Sequence, residues 1–142
     1  MNILFFLTPK SEVAYIYEDY TIKQAIEKME YHRYSSIPII NRDGEYVGTI
    51  TEGDFLWSLK NRDTLNLKEF EKMPVTDIKR KKDNSPVSIN AKIEDLVIKS
   101  LNQNFVPVID DQNIFIGIIK RRDIIGYCFE RMSLSEEIVI DQ

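Results

Sequence analysis

The sequence predicts an α+β fold of two pseudo-symmetric βαββα repeats, with their sheets packed face to face and helices on the flanks. A helical run, two short β-rich runs and a second helical run occur in the first half of the chain and return in that order in the second half. Neither half is long enough to bury its own core, so the two are expected to pack as one domain. Pairs at one offset of 69 residues mark the duplication: Pro38 and Pro107, Gly48 and Gly117, and Asp54 and Asp123.

Local patterns predict the elements of the first repeat, over about residues 8–62. Thr21 and Gln24 fit a capping box and apolar residues follow at helical spacing, so a helix is expected from Thr21 to about Arg33. Two β-rich runs flank an Asn-Arg-Asp-Gly turn, and Thr51 is suited to cap a second helix. The other expected elements are strands at Val13–Tyr17, Ser36–Ile40 and Tyr46–Ile50 and a helix from Glu52 to about Lys60.

The same patterns predict the second repeat over about residues 78–132, after a polar linker at 63–77 in which Glu69–Met73 is expected to be helical. Lys79–Pro86 is interpreted as an exposed loop without a counterpart in the first repeat, and the alternatives for its cations, Lys79–Lys82, are nucleic-acid binding or a phosphate contact at the second cleft. The tail, 133–142, is acidic and carries the apolar patch Ile138–Ile140, and the sequence does not place it. The expected elements are a strand at Val87–Ile89, a helix from Asn90 to about Leu101, strands at Val106–Ile109 and Phe115–Ile119, and a helix from Arg121 to about Met132.

Composition limits the classes of function. The 142 residues, 43% hydrophobic and 30% charged, fit one soluble domain. A net charge of −4 argues against nucleic-acid binding, and a single cysteine, Cys128, leaves no disulfide framework or cysteine metal site. The apolar run Ile3–Leu7 lacks basic residues and is too short for a signal peptide or a membrane span. We therefore expect a cytoplasmic protein with no metal, membrane or nucleic-acid partner.

The motif Thr51-Glu52-Gly53-Asp54 carries the first chemical indication. The first turn of a helix attracts phosphate, because its N–H groups are unpaired and the helix dipole is positive there. A threonine hydroxyl can reach a phosphate oxygen, and an aspartate can accept hydrogen bonds from both ribose hydroxyls. The alternative is that Thr51 and Asp54 are only a helix cap and its favourable acid.

Pro38 and Pro107 add a second indication. Proline cannot donate to a strand ladder, so each is expected at a sheet edge or a bulge, where neighbouring main-chain groups are free. Free main-chain groups beside apolar side chains suit the edge of an adenine ring. Because both features recur at one spacing, the sequence favours nucleotide clefts between the repeats.

Both repeats resemble cystathionine β-synthase (CBS) domains, and the chain resembles a stand-alone tandem CBS pair of the kind found in bacteria. The resemblance covers about Ser11 to Arg131. It implies two clefts, each binding an adenosine-containing ligand with the base on one repeat and the ribose and phosphate on the other. The motifs that carry it are Ser36-Ile37-Pro38-Ile39-Ile40 with Val106-Pro107-Val108-Ile109-Asp110, and Gly48 to Asp54 with Gly117 to Asp123.

Transferred position by position, the resemblance implies the ligand contacts of both clefts. In the first cleft Asp123 would bind the ribose, with Arg121 and Arg122 near the phosphate. In the second cleft Thr51 and Asp54 would bind ribose and phosphate. The implied base contacts are Ala14, Tyr34, Ser35, Ser36 and Ile37 in the first cleft, and Asn104, Phe105 and Val106 in the second.

Lys120 stands where CBS domains usually carry Thr or Ser. Its cation adds to those of Arg121 and Arg122 and favours a ligand rich in phosphate, while the hydroxyl is lost. Small CBS pairs with this layout resemble cyclic di-AMP-binding proteins, so the expected ligands are AMP, ATP and cyclic di-AMP. The alternative for this basic segment is a solvated start of a helix.

The expected function is a non-catalytic regulatory sensor, because one histidine, His32, leaves no evident pair of nucleophile and base. The resemblance implies a homodimer formed through the last helix of each repeat, and the signal is expected to reach a protein partner that the sequence does not identify. A constitutive interaction scaffold with vestigial clefts is the alternative. Aromatic residues on those helices, expected in the core or the interface, are Phe55, Trp57, Tyr127 and Phe129.

Overall fold

Each repeat folds as a leading strand, a helix, an antiparallel strand pair and a closing helix, in the predicted order. The computed structural model describes residues 2–62 and 66–140. Strand β1 (Thr8–Pro9) precedes the first repeat: strand β2 (Ile16–Tyr17), helix α1 (Ile22–His32), strands β3 (Ser36–Ile40) and β4 (Tyr46–Thr51), and helix α2 (Glu52–Lys60). Helix α3 (Leu67–Lys72) precedes the second: strand β5 (Val87–Ser88), helix α4 (Ile93–Ser100), strands β6 (Phe105–Ile109) and β7 (Phe115–Lys120), and helix α5 (Arg121–Ile140).

Side-chain caps determine where helix α1 begins and ends. The Thr21 hydroxyl accepts a hydrogen bond from the Gln24 N–H and the Gln24 side chain accepts one from the Thr21 N–H, which confirms the predicted capping box. Arg33 ends the helix in the left-handed conformation, with φ of 57°. The Tyr34 N–H then donates to the Met29 carbonyl at 3.0 Å, so the chain turns directly from the helix toward β3.

Two helices differ from the prediction. Helix α4 begins at Ile93 instead of Asn90, because Lys92 is the N-cap and its N–H donates to the Asp95 carboxylate at 3.1 Å. Helix α5 continues past Met132 to Ile140; no glycine or proline interrupts that stretch. The side chains of the patch Ile138–Ile140 lie outside the described residues.

The strands form two sheets, one for each repeat. The sheet of the first repeat has the order β2-β3-β4, and that of the second has the order β1-β7-β6-β5. In both sheets the leading strand is parallel to the first hairpin strand, and the hairpin strands are antiparallel. Strand β1 pairs with β7, with Pro9 opposite Gly117. The start of the chain therefore belongs to the sheet of the second repeat.

The two prolines lie in the central strands β3 and β6, and the prediction was that each marks a sheet edge or a bulge. The prediction of a local edge holds, because β2 pairs only with the last two residues of β3, Ile39 and Ile40, and β5 pairs in the same way with β6. Pro38 and Pro107 thus lie where their strand has a paired neighbour on one side only. An irregularity in register follows at equivalent points, between Ile39 and Ile40 and between Val108 and Ile109.

The hairpins of the two repeats bond directly to each other. The Phe115 N–H donates to the Gly44 carbonyl at 2.9 Å, and the Tyr46 N–H donates to the Asn113 carbonyl at 3.2 Å. The rings of Tyr46 and Phe115 stack between the sheets with centroids 6.3 Å apart. These contacts confirm the predicted packing of one repeat on the other. Among the described helices, none combines the length and the apolar character needed to cross a bilayer.

Candidate functional site

The first cleft is a cavity of about 420 Å³ between the repeats. The end of α1 and the start of β3 form one wall, and the end of β7 and the start of α5 form the other. Phe105, an implied base contact of the second cleft, also lines this cavity. The sequence-predicted residues that come together here are Ala14, Tyr34, Ser35, Ser36, Arg121 and Arg122, and further lining residues include Glu12, Arg33, Asn104 and Lys120.

Main-chain bonds hold the two walls in equivalent ways. The Glu52 N–H donates to the Ser35 carbonyl at 3.0 Å, and at the matching position of the second repeat the Arg121 N–H donates to the Asn104 carbonyl at 3.0 Å. Each bond ties the turn after one helix to the first residue of the closing helix. The lining residues are therefore held by the secondary structure rather than by a free loop.

The cavity is strongly cationic. Arg33, Lys120, Arg121 and Arg122 line it, with Glu12 as the one acidic residue among its described lining. The Arg121 Nε donates to the Gln103 carbonyl at 3.0 Å, which fixes the direction of that guanidinium. No described carboxylate lies within ion-pair distance of the four cations. The cleft therefore presents uncompensated positive charge, which attracts phosphate groups.

Two residues assigned to the first cleft lie outside its lining. Asp123 lines an adjoining cavity of about 700 Å³ beside α5, and Thr8 and Arg122 line both cavities. Ile37 is fully buried in the core of the first repeat, so only its main chain can face a ligand. The ribose role of Asp123 and the base contact of Ile37 stay predictions.

The second cleft is a groove of about 610 Å³. Three of its sequence-predicted residues, Thr51, Asp54 and Asn104, line it. Phe105 faces the first cavity instead, and Val106 is fully buried in the core of the second repeat. Lys81 and Lys82 also line the groove, where a phosphate contact was one of the alternatives for that basic segment. The sequence assigned no role here to several further lining residues: Glu52, Trp57, Asn84 and Arg121.

Asp54 is only 6% exposed, and both of its oxygens accept main-chain hydrogen bonds. Oδ2 accepts from the Thr51 N–H at 3.0 Å, which completes a capping box with the Thr51 hydroxyl. Oδ1 accepts from the Lys81 N–H at 3.1 Å. Among the described residues, none donates to the carboxylate of Asp123 in this way. The two aspartates, equivalent in sequence, therefore have different surroundings.

Residues 80–85, which we call the strap, cross the first repeat beside β4. Asp83 Oδ1 accepts from the Thr49 N–H at 3.0 Å and from Arg80 Nε at 2.7 Å. Burial acts to raise the pKa of Asp83, but the bonds from Arg80 and Thr49 and the Arg80 charge outweigh it and leave that pKa below its usual value. A Cβ on Gly48 would lie 2.5 Å from Asp83 Oδ1, so glycine makes room for the strap.

Four of the six residues of the strap are exposed, as predicted for a loop, but the prediction that the segment has no counterpart is wrong. Its crossing over Gly48 matches the crossing of β1 over Gly117 in the other repeat, where a Cβ would meet Thr8 and Pro9. In each repeat a segment from outside the βαββα unit covers the second hairpin strand at the glycine. The pseudo-symmetry therefore extends to these segments.

Asn84 connects the strap to the second repeat. Its Nδ2 donates to the Phe105 carbonyl at 3.1 Å and to Asn104 Oδ1 at 3.3 Å. Its carbonyl accepts from the Tyr46 hydroxyl at 2.7 Å. Burial raises the pKa of Tyr46 above its usual value, so the phenol stays a donor. Asn104 Nδ2 in turn donates to the Ser36 hydroxyl at 2.8 Å, where the two clefts meet.

A family model for the CBS domain matches residues 6–61 and 73–130, which are the two repeats. The chain belongs to the CBS domain family. Homoserine O-acetyltransferase of Methanococcus vannielii is 30% identical to this chain over 111 residues, which cover 77% of the chain and 21% of that protein. The chain thus spans about a fifth of the length of that relative.

Crystal structures of other CBS proteins have the same fold. CbpB in complex with cyclic di-AMP has a TM-score of 0.80 at 24% identity, over all of this chain and 91% of CbpB. CBSX2 in complex with AMP has a TM-score of 0.71 at 19% identity, over 92% of this chain and 98% of CBSX2. At these identities the likeness shows the fold, and it confirms the arrangement of two CBS repeats predicted from the sequence.

The closing helices of this CBS pair expose apolar residues. Phe55 of α2 lies in the core of the first repeat. The core was one of the two locations predicted for it, and the dimer interface was the other. Trp57 of α2 is 56% exposed and Phe129 of α5 is 68% exposed. Ile125 and Met132 are exposed at helical spacing from Phe129. The outer face of α5 therefore carries an apolar stripe.

Among the described side chains, those of residues 2–62 and 66–135, no three metal-ligating groups come together. The single histidine, His32, stacks on Tyr34 with ring centroids 5.3 Å apart, at the edge of the first cleft. Tyr34 is 40% exposed and lines that cleft. The first cleft therefore offers an aromatic ring and main-chain groups beside a cluster of cations.

Proposed function

We propose that this CBS pair is a non-catalytic regulatory sensor that binds an adenine nucleotide in its first cleft. The observation that carries the proposal is the pairing of two walls within one cavity, an aromatic and main-chain wall from the first repeat and a cationic wall from the second. A nucleotide has a flat base, which suits the aromatic and main-chain wall, and charged phosphates, which suit the cationic wall. The crystal structures of CbpB with cyclic di-AMP and CBSX2 with AMP support the same class of ligand.

The base would lie against the wall formed by Ala14, Tyr34, Ser35 and Ser36. The first half of β3 has an unpaired side, so main-chain groups there are available to an adenine edge. The Tyr34 ring offers a stacking surface, and Ala14 leaves room because its side chain is small. Hydrogen bonds to the base edge then select adenine over other bases.

The phosphates would bind to Lys120, Arg121 and Arg122. Arginine forms paired hydrogen bonds with phosphate oxygens, and lysine adds a point charge. The Arg122 N–H also belongs to the first turn of α5, where the helix dipole favours an anion. AMP, ATP and cyclic di-AMP all satisfy this chemistry, and the number of cations favours a ligand with more than one phosphate. The ribose would lie at the mouth of the cleft toward Asp123.

The signal would leave through a protein contact. Ligand binding can change such a contact only if the two states of the protein bind the ligand with different affinity. The first cleft lies between the repeats, so a ligand there can alter their relative position. The apolar stripe Ile125–Met132 on α5 and Trp57 on α2 supports a homodimer formed through the closing helices. An adenine-nucleotide sensor would work in the cytoplasm, as the composition predicts.

A thermal-shift panel tests the function. The protein is melted with AMP, ADP, ATP, cyclic di-AMP and, as controls, GMP and cyclic di-GMP. A ligand at a hundred times its dissociation constant stabilises the folded state by about 2.7 kcal/mol. We expect one or more adenine nucleotides to raise the melting temperature and the guanine nucleotides to raise it less.

The other outcomes are equally informative. Unchanged melting temperatures with all six nucleotides would reject the sensor and favour the constitutive scaffold. Turnover of any nucleotide in the same tubes, followed by chromatography, would reject the non-catalytic assignment.

A further inference from the structure

Asp54 and Asp123, at equivalent positions of the two repeats, have different roles. An acidic side chain binds a ribose by accepting hydrogen bonds from its hydroxyls. In Asp54 both oxygens already accept main-chain N–H groups, from Thr51 at 3.0 Å and from Lys81 at 3.1 Å. A ribose would have to compete with these two main-chain donors, which fix the orientation of the carboxylate. Asp54 is therefore suited to hold the strap, not a sugar.

In the second cleft, a protein side chain already occupies the position expected for the base. The Phe105 carbonyl is equivalent to the Ser36 carbonyl of the first cleft. No described side chain donates to the Ser36 carbonyl. In the second cleft, Phe105 O accepts from Asn84 Nδ2 at 3.1 Å and from Gln103 Nε2 at 3.3 Å. A carboxamide N–H is the same kind of donor as the exocyclic amine of adenine. The Asn84 side chain therefore fills the place where that amine would donate.

The strap is held at both ends, so these bonds are not those of a loose loop. Near its start the Lys81 N–H donates to Asp54 Oδ1 at 3.1 Å, and farther along Asp83 accepts from the Thr49 N–H at 3.0 Å. At the other end the Ser85 N–H donates to Gln103 Oε1 at 2.8 Å, and Gln103 is 5% exposed. Displacing the strap would break bonds to both repeats at once.

We infer that the strap replaces a nucleoside in the second cleft, so that each chain binds one nucleotide, in the first cleft. This inference rests on the proposed function for its ligand. It reassigns Asp54 from ribose binding to holding residues 80–85. The groove of about 610 Å³ beside the strap remains open to solvent, but the acceptors expected for ribose and base, the Asp54 carboxylate and the Phe105 carbonyl, already accept protein donors.

The stoichiometry of binding tests this directly. AMP, ATP and cyclic di-AMP are titrated separately into the full chain by calorimetry, with the protein concentration set by amino-acid analysis. We expect saturation at no more than one nucleotide per chain for each ligand. Saturation at two AMP or two ATP per chain would overturn the inference while leaving the proposed function intact.

A matched pair of isosteric variants identifies the cleft. Asp123→Asn is expected to weaken nucleotide binding at least tenfold and to leave the melting temperature of the ligand-free protein within about 2 °C of wild type. Asp54→Asn is expected to keep the affinity within about twofold and to lower the ligand-free melting temperature by several degrees. The reverse pattern would overturn the inference. If Asp54→Asn does not fold, Asn84→Ala takes its place, with the same expected pattern.

Hydrogen exchange tests the strap without any variant or ligand. The amides of Thr49, Lys81 and Ser85 are expected to exchange at least a hundredfold more slowly than unstructured amides, with and without nucleotide. Exchange at unprotected rates would overturn the inference even if nucleotide binding is found. If no nucleotide binds, the proposed function fails, and protected amides together with the stability of the variants still show whether the strap is closed.

Discussion

The main chain of Thr8 lies directly over Gly117. Strand β1 pairs with β7 so that Thr8 is opposite Ile118 and Pro9 opposite Gly117. A Cβ added at Gly117 would collide with the Thr8 carbonyl and lie 3.1 Å from the Pro9 Cα. The beginning of the chain is thus part of the sheet that carries Lys120 and the start of α5, and it forms one edge of the first cleft.

Gly117→Ala is expected to destabilise the fold by about 1–3 kcal/mol, because the new methyl group meets main chain that cannot rotate away. Gly126→Ala is the control, since a Cβ on this exposed helical residue meets nothing within 4 Å. Alanine favours a helix over glycine, so the control is expected to be as stable as wild type or more stable. Urea unfolding measures both variants, and equal stability of the two would contradict the packing described for β1.

The cations of the first cleft predict the phosphate dependence of binding. Arg122→Ala and Lys120→Ala each remove a charged donor, worth about 1.5–3 kcal/mol when it bonds to phosphate. We expect the dissociation constant of the bound nucleotide to rise about ten- to a hundredfold for each variant. Lys72→Ala, on the exposed helix α3, is the control and should bind as wild type does. Calorimetry measures the dissociation constants of all three variants. An unchanged affinity in both cleft variants would show that the phosphates do not bind to this wall.

Asp83 predicts how stability depends on pH. Its pKa in the folded protein is lowered, so the ionised carboxylate stabilises the fold above the unfolded-state pKa of about 3.9. That contribution is lost as the pH falls through the lower, folded-state pKa. We expect the melting temperature of Asp83→Asn to be below that of wild type at pH 7, with the difference shrinking below about pH 4.

Asp19→Asn is the matched control for this pH profile. The bond from Arg42 also lowers the pKa of Asp19, but that pair is exposed to solvent and contributes little to stability. A difference between wild type and Asp83→Asn that stays constant from pH 7 to pH 3 would contradict the assigned role of the Asp83 charge.

The apolar stripe on α5 predicts the oligomeric state. Phe129→Asp places a charge at the centre of the proposed dimer interface and is expected to convert a dimer into a monomer. Ile98→Asp, at a residue of α4 that is 63% exposed, is the control and should leave the dimer intact. Sedimentation velocity at equal protein concentrations distinguishes the two. A wild-type monomer, or a dimer in both variants, would reject the interface.

Local signals predicted most of the fold. The capping box at Thr21 located helix α1 because a cap depends on residues three positions apart. The offset between Pro38 and Pro107 predicted both hairpins, because the repeated sequence pattern adopts the same backbone geometry in each repeat. Sequence reasoning failed for the end of α5, where the acidic composition after Met132 was taken for a tail although nothing there breaks a helix.

Contacts between distant residues explain what the sequence did not predict. The bond from Lys81 to Asp54 joins residues 27 apart, and the bond from Asn84 to Phe105 joins residues 21 apart. No local pattern marks either bond, so the charged segment Lys79–Pro86 resembled a solvated loop. Ser35 and Arg121, where main-chain geometry repeats, line the first cleft together with other predicted residues, whereas the contacts of the strap with the second repeat were not predicted.

Chemical-shift mapping of the ¹⁵N-labelled protein during nucleotide titration tests the central claim most directly. AMP, ATP and cyclic di-AMP are added separately, and amide shifts are followed residue by residue. For at least one of the three, we expect saturable shifts at Tyr34, Lys120 and Arg122, which line the first cleft but not the second groove, with much smaller shifts at Glu52 and Gly53 of that groove. The absence of saturable shifts with all three nucleotides, or shifts confined to the second groove, would contradict a nucleotide site in the first cleft.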